Sequence, residues 1–158
     1  MFRGLFQTTV DAKGRTSMPA RFREVLGETF RDDRFVITNS GPVDLGSGLF
    51  ARGLSIYPYP EWVALEEKVA KGVGFTFAQL NSINRLILAP GVECVADKQG
   101  RVLIPPHLRS AAGLERDIVF VGSQKKIEIW SQVEWERVIS QAERDFPANT
   151  QALAELGL

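Results

Sequence analysis

Apolar residues along the chain recur with two periods, and the switches between them mark out the elements. From Leu5 to Val10, Phe6, Thr8 and Val10 alternate with Leu5, Gln7 and Thr9, the period of a short strand. Asp11 to Gly14 interrupts it with turn chemistry, and Arg15 to Met18 is expected to return as the second strand of a hairpin. Phe22, Val25 and Leu26 then share one helical face, opened by Pro19 and ended by Gly27. Arg34 to Thr38 and Leu54 to Pro58 read as strands, and the Gly-rich segment 39–53 between them reads as a disordered surface insertion. Pro60 opens an amphipathic helix with Trp62, Leu65 and Val69 facing inward, closed by Gly72. Thr76 and Gln79 have capping-box spacing ahead of a helix bearing Leu80, Ile83 and Ile87, which Pro90-Gly91 breaks.

The second half runs through the same order of parts. Val92 to Ala96 reads as a strand, Asp97 to Gly100 as a turn and Arg101 to Ile104 as a strand. Pro105-Pro106 starts a short helix with Leu108, Ala111 and Ala112, stopped by Gly113. Asp117 to Val121 and Ile127 to Trp130 are paired strands. Ser131 and Glu134 form a capping box for a helix whose buried face is Trp135, Val138, Ile139 and Ala142.

The repetition extends to individual residues. Asp11, Gly14, Arg15, Pro19 and Arg23 recur 86 positions later as Asp97, Gly100, Arg101, Pro105 and Arg109. Leu54, Ile56, Tyr57, Glu61 and Trp62 match Ile127, Ile129, Trp130, Glu134 and Trp135 at an offset of 73, so the first copy holds thirteen extra residues, expected within 39–53. The unit is therefore a β-turn-β-α-β-β-α module of an α+β protein. One copy is too small to bury an adequate core, so the two are expected to pack as a pseudo-dimer. The domain division is 1–75 for the first repeat with its inserted loop 39–53, 76–91 for a linker helix, 92–146 for the second repeat and 147–158 for a tail.

Composition narrows the chemistry. With 158 residues, 44% of them hydrophobic, the chain is an ordinary folded protein. Its single cysteine, Cys94, excludes an internal disulfide, and its single histidine, His107, leaves no Cys/His set of metal-ligand spacing. Leu45-Gly46-Ser47-Gly48-Leu49 lacks the Gly-Lys-Ser/Thr ending of a phosphate-binding loop. No nucleophile with a base can be assembled, so neither enzyme activity, a cofactor nor a small-molecule substrate is expected. There is no run of eighteen apolar residues, and Met1-Phe2-Arg3-Gly4-Leu5-Phe6 lacks a signal-peptide core, so a cytoplasmic protein without a membrane partner is expected. Net charge is zero, but residues 1–31 carry six basic and three acidic residues, and residues 132–158 carry two basic and five acidic.

The doubled Asp-x-x-Gly-Arg turn is the candidate site. Asp11 can buttress Arg15 across the turn, and Asp97 can buttress Arg101, with Gly14 and Gly100 supplying the turn geometry. A guanidinium held this way suits phosphate oxygens or the O6/N7 edge of guanine, and Lys13 and Lys98 add point charges for phosphates. The same pairs also read as simple hairpin clamps, worth little as exposed ion pairs. The residues alone leave both readings open.

Met1-Phe2-Arg3-Gly4, the two Asp-x-x-Gly-Arg turns each followed by x-x-x-Pro, and Ile127-Glu128-Ile129-Trp130 with Trp135 together resemble the MraZ family over nearly the whole chain. One module resembles the AbrB-type swapped-hairpin fold, and the resemblance implies a pseudo-two-fold swapped-hairpin barrel with peripheral helices. It further implies a regulator, mainly a repressor, of the division and cell-wall gene cluster that binds double-stranded DNA at direct repeats upstream of its own operon. A ring-shaped, octamer-like homo-oligomer associated with the nucleoid is implied as well. DNA contact carries over to Lys13 and Arg15, with Arg3 as a further candidate and Lys98, Arg101 and Arg109 as analogues in the second copy. Gln99 stands where the first copy has Lys13, which makes the first turn the expected reader. The rival expectation is a structural or protein-binding scaffold, and RNA is a conceivable target of the same arginines.

Overall fold

In the computed structural model, which describes all residues 1–158, each copy contributes matched elements. The first copy supplies β1 (Leu5–Thr9), β2 (Arg15–Ser17), α1 (Ala20–Val25), β3 (Phe35–Asn39), β4 (Val43–Gly46), β5 (Leu49–Ala51), β6 (Leu54–Pro58) and α2 (Tyr59–Lys71). A connecting helix α3 (Phe77–Ile83) leads to the second copy: β7 (Val92–Cys94), β8 (Arg101–Leu103), α4 (Pro106–Ala111), β9 (Asp117–Ser123), β10 (Lys126–Ser131) and α5 (Gln132–Asp145). A short α6 (Thr150–Glu155), capped by the Asn149 side chain, ends the chain.

Six antiparallel strands form one sheet in the order β1-β9-β10-β6-β3-β7. That order is a palindrome under exchange of the copies. The central pair β6/β10 sits on the pseudo-two-fold, and the first strand of each copy lies at the edge of the other copy's half. The expected local hairpins are therefore corrected. β2 does not pair with β1 but crosses to β8, forming a separate two-stranded ribbon with Arg15 opposite Leu103, Thr16 opposite Val102 and Ser17 opposite Arg101. Strands of three residues cannot close a core within their own module. Exchange lets Val10, Met18 and Phe22 of one copy share a nineteen-residue buried cluster with Val102, Ile104 and Leu108 of the other. Around Phe2 this core is aromatic: Phe2 meets Phe22 edge-on at 5.6 Å and stacks on Phe30 at 5.7 Å, while Phe6 meets Phe22 at 5.1 Å.

The thirteen extra residues do not all lie in 39–53. Thr8 faces Ile118 across β1/β9 and Cys94 faces Phe35 across β3/β7. Thr8 and Cys94 are matched at the repeat offset of 86, so Phe35 and Ile118 are equivalent at an offset of 83. Three extra residues therefore fall between α1 and β3, where a π-helical turn, Leu26–Phe30, continues past Gly27 and ends at the left-handed Arg31. Buried Leu26 and the stacked Phe30 make that extra turn worth forming.

The other ten residues make an ordered element where an irregular insertion was expected: β4 and β5 pair as a hairpin that rests on α5, and the Arg52 N–H donates to Glu134 Oε2 at 3.2 Å. Because Glu134 serves Arg52 and Arg137, it does not turn back to complete the capping box, and Ser131 alone caps α5 by accepting from the Glu134 N–H at 3.1 Å. Thr76 and Gln79 do form the reciprocal box at 3.2 and 2.9 Å. The buried face expected on α5 is only partly covered: Trp135 and Val138 are half-buried, Ile139 and Ala142 exposed, since support comes mainly from β9, β10 and the hairpin. Thr38 Oγ1 and Asn39 Nδ2 donate to the carbonyls of Ile87 and Leu86, docking the π-helical turn Asn84–Leu88 that follows α3 on β3.

Candidate nucleic-acid interface

Both turns are built by one carboxylate satisfying three donors. Asp11 Oδ1 accepts from the backbone N–H groups of Lys13 and Arg15, each at 2.9 Å, and Oδ2 accepts from Arg15 Nε at 3.0 Å. Asp97 repeats this with the N–H groups of Gln99 at 2.8 Å and Arg101 at 2.9 Å, and with Arg101 Nε at 2.9 Å. The backbone N–H of Arg15 is the chief reason the Asp11 carboxyl is held below the usual carboxylate value; the Arg15 side chain and the Lys13 N–H add to it against partial desolvation. The Arg101 N–H does the same for Asp97. Gly14 and Gly100 adopt φ values of 85° and 77°, the left-handed region that closes each turn and that a side chain disfavours.

The swap joins the two turns to one surface. Ile104 N–H donates to Gly14 O and Met18 N–H donates to Gly100 O, both at 2.9 Å, so each turn is stitched to the strand end of the opposite copy. Gly14 and Met18 are four positions apart along the strand, placing the turns about 13 Å apart at the two ends of the ribbon. Within the ribbon Thr16 and Val102 point to the core, which leaves Arg15, Ser17, Arg101 and Leu103 on the outward face. Each arginine spends only Nε on its aspartate. The Nη groups of Arg15 and Arg101 have no partner in the chain, and the two side chains are 35% and 37% exposed. An oriented fork with both Nη groups open can take a phosphate or a guanine edge without first losing much side-chain freedom.

Lys13 and Lys98 project from the turn tips, exposed and free of ion pairs. Arg3 is not brought to either turn: it precedes β1 beside Gly122 of β9, at the strand end remote from Asp11 and roughly 25 Å away. Arg109, expected as a second-copy contact, instead reaches the first turn, and Arg23, which the site expectation passed over, reaches the second. Arg109 lies against Gly14, its Cζ 2.6 Å from where a Cβ would stand, and Arg23 lies against Gly100 at the same 2.6 Å. The signal was their repetition four residues after each proline, but which turn each would meet depends on the exchange.

The remaining reactive side chains are held apart from one another. His107 is exposed with Nε2 3.1 Å from Pro90 O, and Cys94 donates its thiol to Val92 O at 3.5 Å. Burial pushes the Cys94 thiol up to about 11, which keeps it protonated at neutral pH. No group of three or more His, Cys, Asp and Glu side chains could hold a metal ion, and no helix is long and apolar enough to cross a membrane.

Fold and site together define a tandem AbrB-like protein, two swapped-hairpin modules on one chain with a pair of Asp-braced arginines on a shared ribbon. The model of the family described as "MraZ protein, putative antitoxin-like" matches residues 1–76 and 87–156. Proteins named Transcriptional regulator MraZ from Geotalea uraniireducens and Geobacter metallireducens are each 61% identical to the chain, with both sequences covered over their full lengths. One of the same name from Pelotomaculum thermopropionicum is 41% identical over 158 residues, covering 100% of this chain and 99% of its own. The chain belongs to the MraZ family, a family of transcriptional regulators rather than of enzymes.

Proposed function

We propose that this chain binds double-stranded DNA at direct repeats upstream of its own operon and acts mainly as a repressor of the division and cell-wall gene cluster. The observation that carries the reading is the pair of Asp-braced arginines on one exposed two-stranded ribbon, each with its Nη groups open. A two-stranded ribbon fits the major groove, where an arginine fork reads guanine and lysines at the turn tips meet the flanking phosphates. Arg15 and Lys13 carry the contact in the first copy, Arg101 and Lys98 in the second, with Asp11, Gly14, Asp97 and Gly100 orienting them. Arg3 belongs to a different surface and contributes at most a remote phosphate contact.

Zero net charge is compatible with this role if several ribbons act together. A ring-shaped homo-oligomer, octamer-like in size, would present many weak ribbons to repeated sites and gain from linked binding. Exposed apolar side chains outside the ribbon, among them Phe77 at 80% and Val73 at 84%, supply surface for such self-association. In the cell the assembly would sit in the cytoplasm on the nucleoid. The test is a mobility shift of the upstream duplex at stated salt: Arg15→Ala is expected to abolish the shift while the oligomer stays intact by light scattering. Retained affinity in that variant would leave the turns as structural clamps and favour the scaffold reading.

A further inference from the structure

The surroundings of each turn glycine hold a cation from the opposite copy that the structural role of the turn does not require. Arg109 leaves α4, donates Nε to Ile104 O at 3.0 Å, and sets its guanidinium in the space a Cβ on Gly14 would take, with Cζ 2.6 Å from that position. Arg23 leaves α1 and does the same at Gly100, with Nε 3.4 Å from Met18 O. Neither has an acidic partner, and neither has a hydrogen bond from its Nη groups within the chain. The first turn therefore gathers Lys13, Arg15 and Arg109 around the single carboxylate of Asp11. The second gathers Lys98, Arg101 and Arg23 around Asp97. Three cations to one anion is repulsive in the free protein, and a bound anion relieves it. A surface that needed only a filled gap beside glycine would be served by an uncharged side chain.

We infer that Arg109 completes the first turn, and Arg23 the second, as phosphate-binding arginines supplied across the copies, so that each turn is a composite site no single repeat can form. The ligand is a phosphodiester of the nucleic-acid backbone. With Nε tied to a carbonyl and the guanidinium filling the space beside Gly14, Arg109 is anchored at the base of the turn with its Nη groups left to donate. Arg15 is free to take a base edge while Arg109 fixes the register on the strand. The inference rests on the DNA-binding reading above and adds to it a residue pair and a division of labour.

The experiment measures binding of the full-length chain to the upstream duplex by fluorescence anisotropy across a series of salt concentrations, with Arg109→Gln, Arg109→Lys and Arg15→Ala alongside the wild type. Gln keeps an uncharged side chain of similar reach over Gly14. Arg109→Gln is expected to bind about tenfold more weakly at low salt and to lower the slope of log K against log salt by about 0.9 for each phosphate lost. Arg109→Lys is expected to keep the wild-type slope although it loses the contact beside Gly14 and the Nε bond, because the charge remains. A structural role predicts the reverse, with Lys as defective as Gln and no change in slope for either. If Arg15→Ala loses binding while Arg109→Gln keeps wild-type affinity and slope, the inference falls and the DNA-binding reading stands. If the wild type itself fails to bind the duplex, both fall.

Discussion

The two turns differ far less in structure than in sequence. Their hydrogen bonds agree within 0.1 Å, both glycines take the same left-handed conformation, and each leans on an arginine from the other copy. The formal charge gathered at each is also the same, since Lys98 at the second turn position stands in for Lys13 at the third. What distinguishes them is the lysine's place on the tip and the glutamine, Gln99, beside it. The backbone therefore gives the first copy no advantage as a reader, and any asymmetry must come from those two tip positions.

Removing each braced arginine separately should distinguish the two turns most strongly. Arg15→Ala is expected to weaken DNA binding by about 100-fold or more, since a bidentate arginine contact is worth about 1–3 kcal/mol and is lost in every subunit of the assembly. Arg101→Ala is expected to cost about tenfold. Titrations at one fixed salt concentration check both, and equal losses would mean that the turns read DNA as a symmetric pair. Gly14→Ala and Gly100→Ala come next. Each forces a side chain into the left-handed region at a cost of roughly 1–2 kcal/mol and drives a Cβ into the guanidinium from the opposite copy. A fall in Tm of about 3–8 °C for either is expected by thermal melting, with the two values alike because the geometry is alike.

A smaller effect follows from Asp11→Asn and Asp97→Asn. An amide oxygen can still accept from the two backbone N–H groups, but the amide nitrogen faces Arg15 Nε or Arg101 Nε as donor against donor, so the turn survives and the fork loses its brace. DNA affinity should drop about threefold to tenfold with little change in Tm, as entropy of the freed arginine must be lost on binding. Acid should act in the same direction. Both carboxyls are depressed below 3.8, so their contribution is complete above that pH and is lost as pH falls through the lower folded-state value. Affinity measured between pH 5 and 8 should therefore show no step from these two groups.

The sequence made legible what is local and concealed what is not. Asp, Gly and Arg at fixed spacing specify the turn by themselves, because every hydrogen bond of the brace lies within five residues. The partner of β2 lies 86 residues away, and a three-residue strand carries no pattern that names it, so the local pattern points to a hairpin and only the family resemblance implied the exchange that the structure shows. The contact of Arg109 with Gly14 follows only from that exchange and was hidden with it. For the segment 39–53 the missed signal was present: Val43 and Leu45 alternate with Asp44, and Gly46-Ser47-Gly48 provides a turn, so a hairpin pattern was there under a glycine content that suggested disorder. The three residues in the turn after Gly27 could not be located from offsets alone, which fix the sum of insertions and not their division.

The finest cut at the comparison exchanges the tips. In the double variant Lys13→Gln with Gln99→Lys, the total charge of the protein is unchanged, but the first turn loses its only tip cation while the second gains one beside Lys98. If the third turn position is the one that faces a phosphate, the second copy becomes the better reader and overall affinity stays within about twofold of wild type with an unaltered salt slope. In that background Arg101→Ala should become the more damaging arginine substitution and Arg15→Ala the milder one. If instead the copies are fixed in their roles by how the assembly presents them, the double variant should lose about threefold to tenfold in affinity, and Arg15→Ala should remain the more damaging change. The exchange therefore separates a preference written in one tip side chain from a preference imposed by the position of each copy in the oligomer.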